Sequence, residues 1–192
     1  MRITRDSLKP GIYLFMVMAS VLLLPVSAWA AQTVHINLEI DGNRIEGEST
    51  IASLDREGTI EASSAGFSVS VPIDPASGLT TGRRVYRPFT ITKRIDKSSP
   101  LLFKALAQNE PVTKLEAMYF RPAVGGSGAE EKFMTILLEN GRITNIVQTS
   151  EDVILAGQDA PPVMEMVSFV FQDITMTYEI NGATYKDSWR AQ

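Results

Sequence analysis

The chain has no cysteine and a single histidine, His35, among its 192 residues. Disulfides and thiolate metal sites are therefore excluded, and a His-based zinc site or a Ser-His-Asp triad is very hard to build. An excess of positive charge is missing too. The formal net charge is −4, which argues against nucleic-acid binding as the main task. There is no G-x-S-x-G, no P-loop lysine after Gly125-Gly126-Ser127-Gly128, and no D-x-D-x-D-G layout around Asp152 and Asp159. Glu46 and Glu48 share a strand parity but read as surface acids. No catalytic constellation can be drawn, so an enzyme is not expected, and neither is a cofactor or a metal.

What is present is a hydrophobic content of 44% in one domain of ordinary size. Residues 1–30 form a separate object. Arg2, Arg5 and Lys9 precede an apolar run from Gly11 to Leu24, Pro25 breaks it, and Ala28-Trp29-Ala30 is a small-x-small site. This pattern predicts a Sec signal peptide cut after Ala30, and hence a secreted or periplasmic protein whose contact with the membrane is limited to that segment. The run is short for the roughly 20 residues a spanning helix needs. Three of 18 basic and one of 22 acidic residues leave with it, so the remainder carries 15 positive and 21 negative charges, a net −6.

From Thr33 the period is two. Val34, Ile36, Leu38 and Ile40 point one way, while His35 sits on the polar face and is expected to be exposed. Ile45 to Gly58 is irregular. A strand over Thr59–Val71 sets Ala65, Phe67, Val69 and Val71 against a small polar face of Ser64, Gly66, Ser68 and Ser70. Later, Leu115, Ala117 and Tyr119 alternate with Glu116, Met118 and Phe120. Asn140-Gly141 is a two-residue hairpin signal, and a parity switch at Gln172-Asp173 predicts a bulge or bend. Tyr185 and Trp189 are expected to bring an aromatic end back to the body. Seven to nine short strands with one helix describe a mainly β fold: a small antiparallel barrel, or two packed sheets, with a flanking α-helix.

Between strands lies a loop carrying Pro72, Asp74, Pro75, Gly78, Gly82 and Pro88. It is too long for a connector and too rich in Pro and Gly for regular structure. Arg83, Arg84, Arg87, Lys93, Arg94 and Lys97 cluster after it, as either an electrostatic docking patch or a solvated strand edge. Ser99 as N-cap and Pro100 at the first helical position then start a short helix whose Leu101, Leu102, Ala105 and Leu106 recur at helical spacing.

The D-P-x-S-G…G-x-R-V-x-R-P-F loop, the I-D-K-S-S-P-L-L-F-K-A-L helix entry and the terminal D-S-W-R-A, at these separations, resemble the Hcp family. These are the tube-forming secreted proteins of bacterial type VI secretion systems. The similarity runs from about Val34 to Ala191, making 31–192 an Hcp-like β-barrel domain. It implies a homo-oligomer, a hexameric ring stacked head to tail into a tube that carries effectors and meets spike and sheath proteins. On that resemblance Pro72–Pro88 is the protruding loop that contacts the next ring, Pro100–Gln108 is the flanking helix, and Ser64, Gly66, Ser68 and Ser70 face the lumen. The Sec signal departs from the family, whose members are loaded from the cytoplasm. It keeps open an alternative, a periplasmic or secreted barrel that binds a ligand without joining a tube. With two residues after Arg190, an effector-fused form is not expected.

Overall fold

A computed structural model describes residues 32–123, 128–150 and 162–189. The predicted signal peptide, most of the Gly125–Gly128 connection and the 151–160 loop lie outside them. Residues 31–192 form one compact unit. Its elements in chain order are β1 (Thr33–Ile40), β2 (Asn43–Ile45), β3 (Ile60–Gly66), β4 (Val69–Ser70), β5 (Val85–Tyr86) and β6 (Phe89–Arg94). There follow α1 (Ser99–Ala107), β7 (Val112–Pro122), β8 (Glu130–Thr149), β9 (Met164–Val170), β10 (Asp173–Tyr178) and β11 (Ala183–Ser188).

The antiparallel neighbours run β8–β7–β1–β3–β6–β9, and β9 pairs back onto β8, which closes the sheet into a barrel. The alternation seen in the sequence fills its interior: Ile36, Leu38, Ile60, Phe89, Ile91, Leu115, Ala117, Val167 and Phe169 are all buried in one core. β10 continues the sheet from β8, and β11 hangs from β10. α1 buries Leu102 and Ala105 and packs on β8.

Closure depends on β8, and here the structure differs from the sequence reading. Asn140-Gly141 makes no hairpin. The chain passes through it within one long strand, whose first part pairs with β7 and β10 and whose second part pairs with β9. Asn140 takes a left-handed φ of 56°, which asparagine tolerates, and its amide donates to Asp173 Oδ2 at 2.9 Å. At Gly141 a Cβ would lie 2.4 Å from the Val170 carbonyl oxygen, so the partner strand has room only for glycine. The expected parity switch lies opposite. β9 ends at Val170, β10 resumes at Asp173, and the buried set passes from Phe171 to Ile174.

The helix start also differs in detail. Ser98, not Ser99, is the N-cap residue, and no side chain caps the first turn as expected. Ser99 is drawn instead into a buried charged cluster. Lys93 and Glu165 are direct partners across β6 and β9, both fully buried, with Nζ and Oε1 2.7 Å apart. Lys93 Nζ also donates to Asp96 Oδ1 at 2.8 Å, to the Arg94 carbonyl at 2.8 Å and to Ser99 Oγ at 3.1 Å. Ser99 Oγ donates to Glu165 Oε1 at 2.6 Å, and Gln148 Nε2 of β8 donates to Oε2 at 3.2 Å. Lys93 is thus a barrel residue and not part of a docking patch.

Removing one member of a buried ion pair strands the other's charge. Lys93→Met is expected to cost about 3–5 kcal/mol in urea unfolding, and Lys93→Met/Glu165→Leu to recover much of that loss. Gly141→Ala, which forces the β8 and β9 backbones apart, is expected to lower stability by about 1–3 kcal/mol without changing the size of the unfolding transition.

Candidate functional site

β3 leaves the barrel wall after Gly66, so the strand expected over Thr59–Val71 is two strands. A register shift between Ala62 and Ser64 moves the half-buried side to Ala65 and Phe67. Val69 and Val71, expected in the core, are exposed because they belong to a tongue standing away from the barrel.

The tongue is more regular than its proline and glycine content suggests. β4 pairs with β5, Ile73 bridges Thr80, and the Thr81 amide donates to the Pro72 carbonyl at 3.0 Å. A Cβ on Gly82 would touch Pro72 Cγ at 3.3 Å, so these two face each other across the ribbon. At the tip, Asp74 accepts the Ala76 amide at 2.9 Å and the Ser77 hydroxyl at 2.8 Å, and Gly78 takes a φ of 69°. Those bonds, the Ala76 amide first, hold the Asp74 carboxyl below its ordinary range. Pro75 sits in the same turn, and Pro88 links β5 to β6. The tongue displays Ile73 and Leu79, 61% and 69% exposed.

The base of the tongue is fixed to the other end of the chain. The Tyr86 hydroxyl and the Arg84 guanidinium both donate to Asp187 of β11, and the Ser188 amide donates to the same carboxylate at 2.9 Å. The Tyr86 bond, with smaller help from Arg84, holds Asp187 below the ordinary carboxylate value, while burial and Asp187 push the Tyr86 phenol up. Beneath them Tyr86 packs edge-on to Phe171 at 5.6 Å and lies 6.2 Å from Trp189, and Phe67 bridges to Phe89 and Phe171. Trp189 therefore returns to the body as expected, but Tyr185 is 72% exposed.

The six basic residues do not form one patch. Arg83, Arg87 and Arg94 are exposed and make no ion pair among the described residues. Arg84 is the anchor on Asp187, Lys93 is buried, and Lys97 pairs with Glu46 at 3.0 Å while its amide meets Glu48 at 3.2 Å. Ser64, Gly66, Ser68 and Ser70 are all exposed, the first two on the barrel wall and the last two on the tongue side. Asp187 and Tyr86 were not singled out from the sequence. Their signal lay in two motifs about a hundred residues apart, R-V-Y and D-S-W, that the fold brings together.

Among the described residues, no group of three His, Cys, Asp or Glu could hold a metal ion, and no helix is long and apolar enough to cross a membrane. Lys93 and Ser99 sit at the distance of a Ser–Lys nucleophile pair, but the amine is held by two carboxylates and both side chains are sealed from solvent.

The family model described as "Type VI secretion system effector, Hcp" matches residues 37–178. The major exported protein of Pseudomonas aeruginosa is 37% identical over 123 residues, which are 64% of this chain and 70% of that protein. A crystal structure of an Hcp protein superposes with a TM-score of 0.74 at 31% identity, over 83% of this chain and 99% of the other. Hcp1 from E. coli EAEC 042 gives a TM-score of 0.70 at 29% identity, again over 83% and 99%. With loop, helix entry and terminal strand arranged around one closed barrel, the chain belongs to the Hcp family of type VI secretion proteins.

Proposed function

We propose that this protein is a structural component of a type VI secretion system that assembles into hexameric rings, stacks them into a tube, carries or chaperones effectors, and is itself secreted. The observation that carries this reading is the tongue: a ribbon with exposed Ile73, Leu79 and Val85, flanked by exposed Arg83 and Arg87, held at a fixed angle by Asp187. A projecting surface of that kind on one side of a subunit makes heterologous contacts, which close into rings or stack. The tongue residues Pro72, Asp74, Pro75, Gly78, Gly82, Arg83, Arg87 and Pro88 are the contact set, and Arg84 orients it. Ser64, Gly66, Ser68 and Ser70 are the proposed lumen surface. The partners are the protein itself, spike or sheath proteins, and effectors; the role is binding, without catalysis. On this reading the signal peptide expected from the sequence would direct the protein to the periplasm or outside the cell, which bears on where such a tube would be built.

Light scattering on residues 31–192 in dilute solution tests this. A ring mass is expected for the native sequence. Arg83→Glu/Arg87→Glu and Leu79→Ser are each expected to shift it toward monomer with the circular dichroism of the barrel unchanged. Asp187→Asn, which loosens the base of the tongue, is expected to weaken association by a smaller margin. A monomer at every concentration, in the native sequence, overturns the ring and leaves a secreted barrel that acts alone.

A further inference from the structure

The barrel core is not the only buried layer. His35, expected on an exposed face, is 1% exposed. It pairs across the ladder with Met118, and both Met118 and Phe120 are buried yet lie outside the core cluster. The segment from Gly47 to Thr59 lies over this face at His35 and Phe120, with Met118 beside His35 on the ladder. The imidazole Nδ1 is 2.9 Å from the Thr59 hydroxyl, and its ring meets Phe120 edge-on at 5.5 Å. Arg56, itself 3% exposed, lays its guanidinium over the same Phe120 ring at 4.6 Å and binds Glu130 of β8.

This cover is held by polar contacts. None of its apolar side chains, Ile51, Ala52 and Leu54, is buried. Its ends are clasped by three backbone bonds, Gly47 N to Gly58 O at 2.9 Å, Gly58 N to Ser49 O at 2.8 Å and Ser49 N to Thr59 O at 3.2 Å. Between them Leu54 and Asp55 are consecutive non-glycine residues at φ 58° and 60°, a strained pair. Thr33 Oγ1 and Asn37 Oδ1, on the same side of β1 as His35, are buried with no hydrogen-bond partner among the described residues. Opening would relieve the strain and give both atoms water, at the cost of exposing Met118 and Phe120 and parting Arg56 from Glu130. A segment with so few apolar contacts belongs to the low-stability end of a fold.

We propose that Gly47–Thr59 is an acid-released strap: protonation of His35 lifts it from the barrel wall and uncovers the apolar pair Met118 and Phe120. An imidazolium in the closed state would be shielded from water and would share one aromatic ring with the Arg56 cation. The charged groups around it come from each packed element: Glu61 across the ladder on β3, Arg56 on the strap and Glu130 on β8, with none from Met118 on β7. Burial, the largest effect, lowers the imidazole below its ordinary value; Glu61 and Glu130 raise it less, and Arg56 lowers it further. A group depressed in the closed state favours closure fully above the ordinary imidazole value of about 6.5. Below that value closure weakens by at most about tenfold per pH unit, until the lowered value is passed.

Hydrogen exchange on the full chain between pH 7.5 and 5.0, corrected for intrinsic rates, tests the strap. The amides of Gly47, Ser49 and Gly58, whose bonds clasp the strap's two ends, are expected to lose protection as the pH falls below about 6.5, by no more than about tenfold per pH unit, while Leu115 in the barrel keeps its own. His35→Gln, which keeps a hydrogen-bonding side chain without a proton to gain, is expected to show no such loss. The native chain supplies a second reading, because its one imidazole resonance is unambiguous. Titration of that resonance together with strap exchange supports the proposal. Strap protection that is flat with pH, or that falls equally in His35→Gln, or that falls together with the core, overturns it.

Discussion

The fold turns on the Lys93–Glu165 pair. A barrel exists only if every neighbouring pair of its strands meets, and this pair lies on the ladder that joins β6 to β9, with Gln148 reaching in from β8, the strand on which β9 closes the barrel. One buried carboxylate thereby touches three successive strands. The same lysine holds Asp96 and Ser99, so the helix enters at an angle dictated by the barrel wall. Hydrophobic burial is indifferent to small rotations, whereas buried charges tolerate few arrangements. The apolar core fills the barrel, and the charged cluster ties β6, β9, β8 and the entry to α1 to one another.

With closure settled, the tongue needs only a rigid mount. A long ribbon between two short strands would swing freely if its own backbone bonds were all it had. Asp187 prevents that by binding both Arg84 and Tyr86, while Phe67, Phe171 and Trp189 fill the space beneath. The anchor comes from β11, the last strand, which pairs with β10, so a displayed loop near the middle of the sequence is oriented only when the C-terminal strand has docked. That dependence explains why loop motif and terminal motif occur together in the resemblance that pointed to the family.

Much of this was legible beforehand, for identifiable reasons. Period-two alternation in β1, β7 and β9 reports one buried face, and it found the barrel core. The same alternation cannot show that the opposite face is covered by a polar segment, so His35 reads as exposed, and Met118 and Phe120 read only as the parity opposite Leu115, Ala117 and Tyr119. Asn140-Gly141 supplies the φ a tight turn needs, but the same φ serves a bend where one strand changes partners. Local sequence cannot tell the two apart. The clustering of basic residues between Arg83 and Lys97 was real in sequence only. Strand parity sent Lys93 inward and Arg94 outward, and the separation of anchor from surface within Arg83, Arg84 and Arg87 required the position of Asp187.

The two surfaces differ in kind, and that difference bears on what each can do. The tongue exposes apolar side chains permanently, and its mount consists of groups that stay charged or bonded throughout the neutral range, Arg84 and a carboxylate held below its ordinary value. Such a surface is suited to constitutive assembly. Beneath the strap, apolar surface is present but hidden, and its seal includes the chain's one imidazole, which burial holds below its ordinary value. The two are carried by different elements, the tongue by β4 and β5 and the hidden face by β1 and β7. On the two proposals together, the subunit holds its neighbours through one face while the state of the other follows the pH of the compartment it occupies.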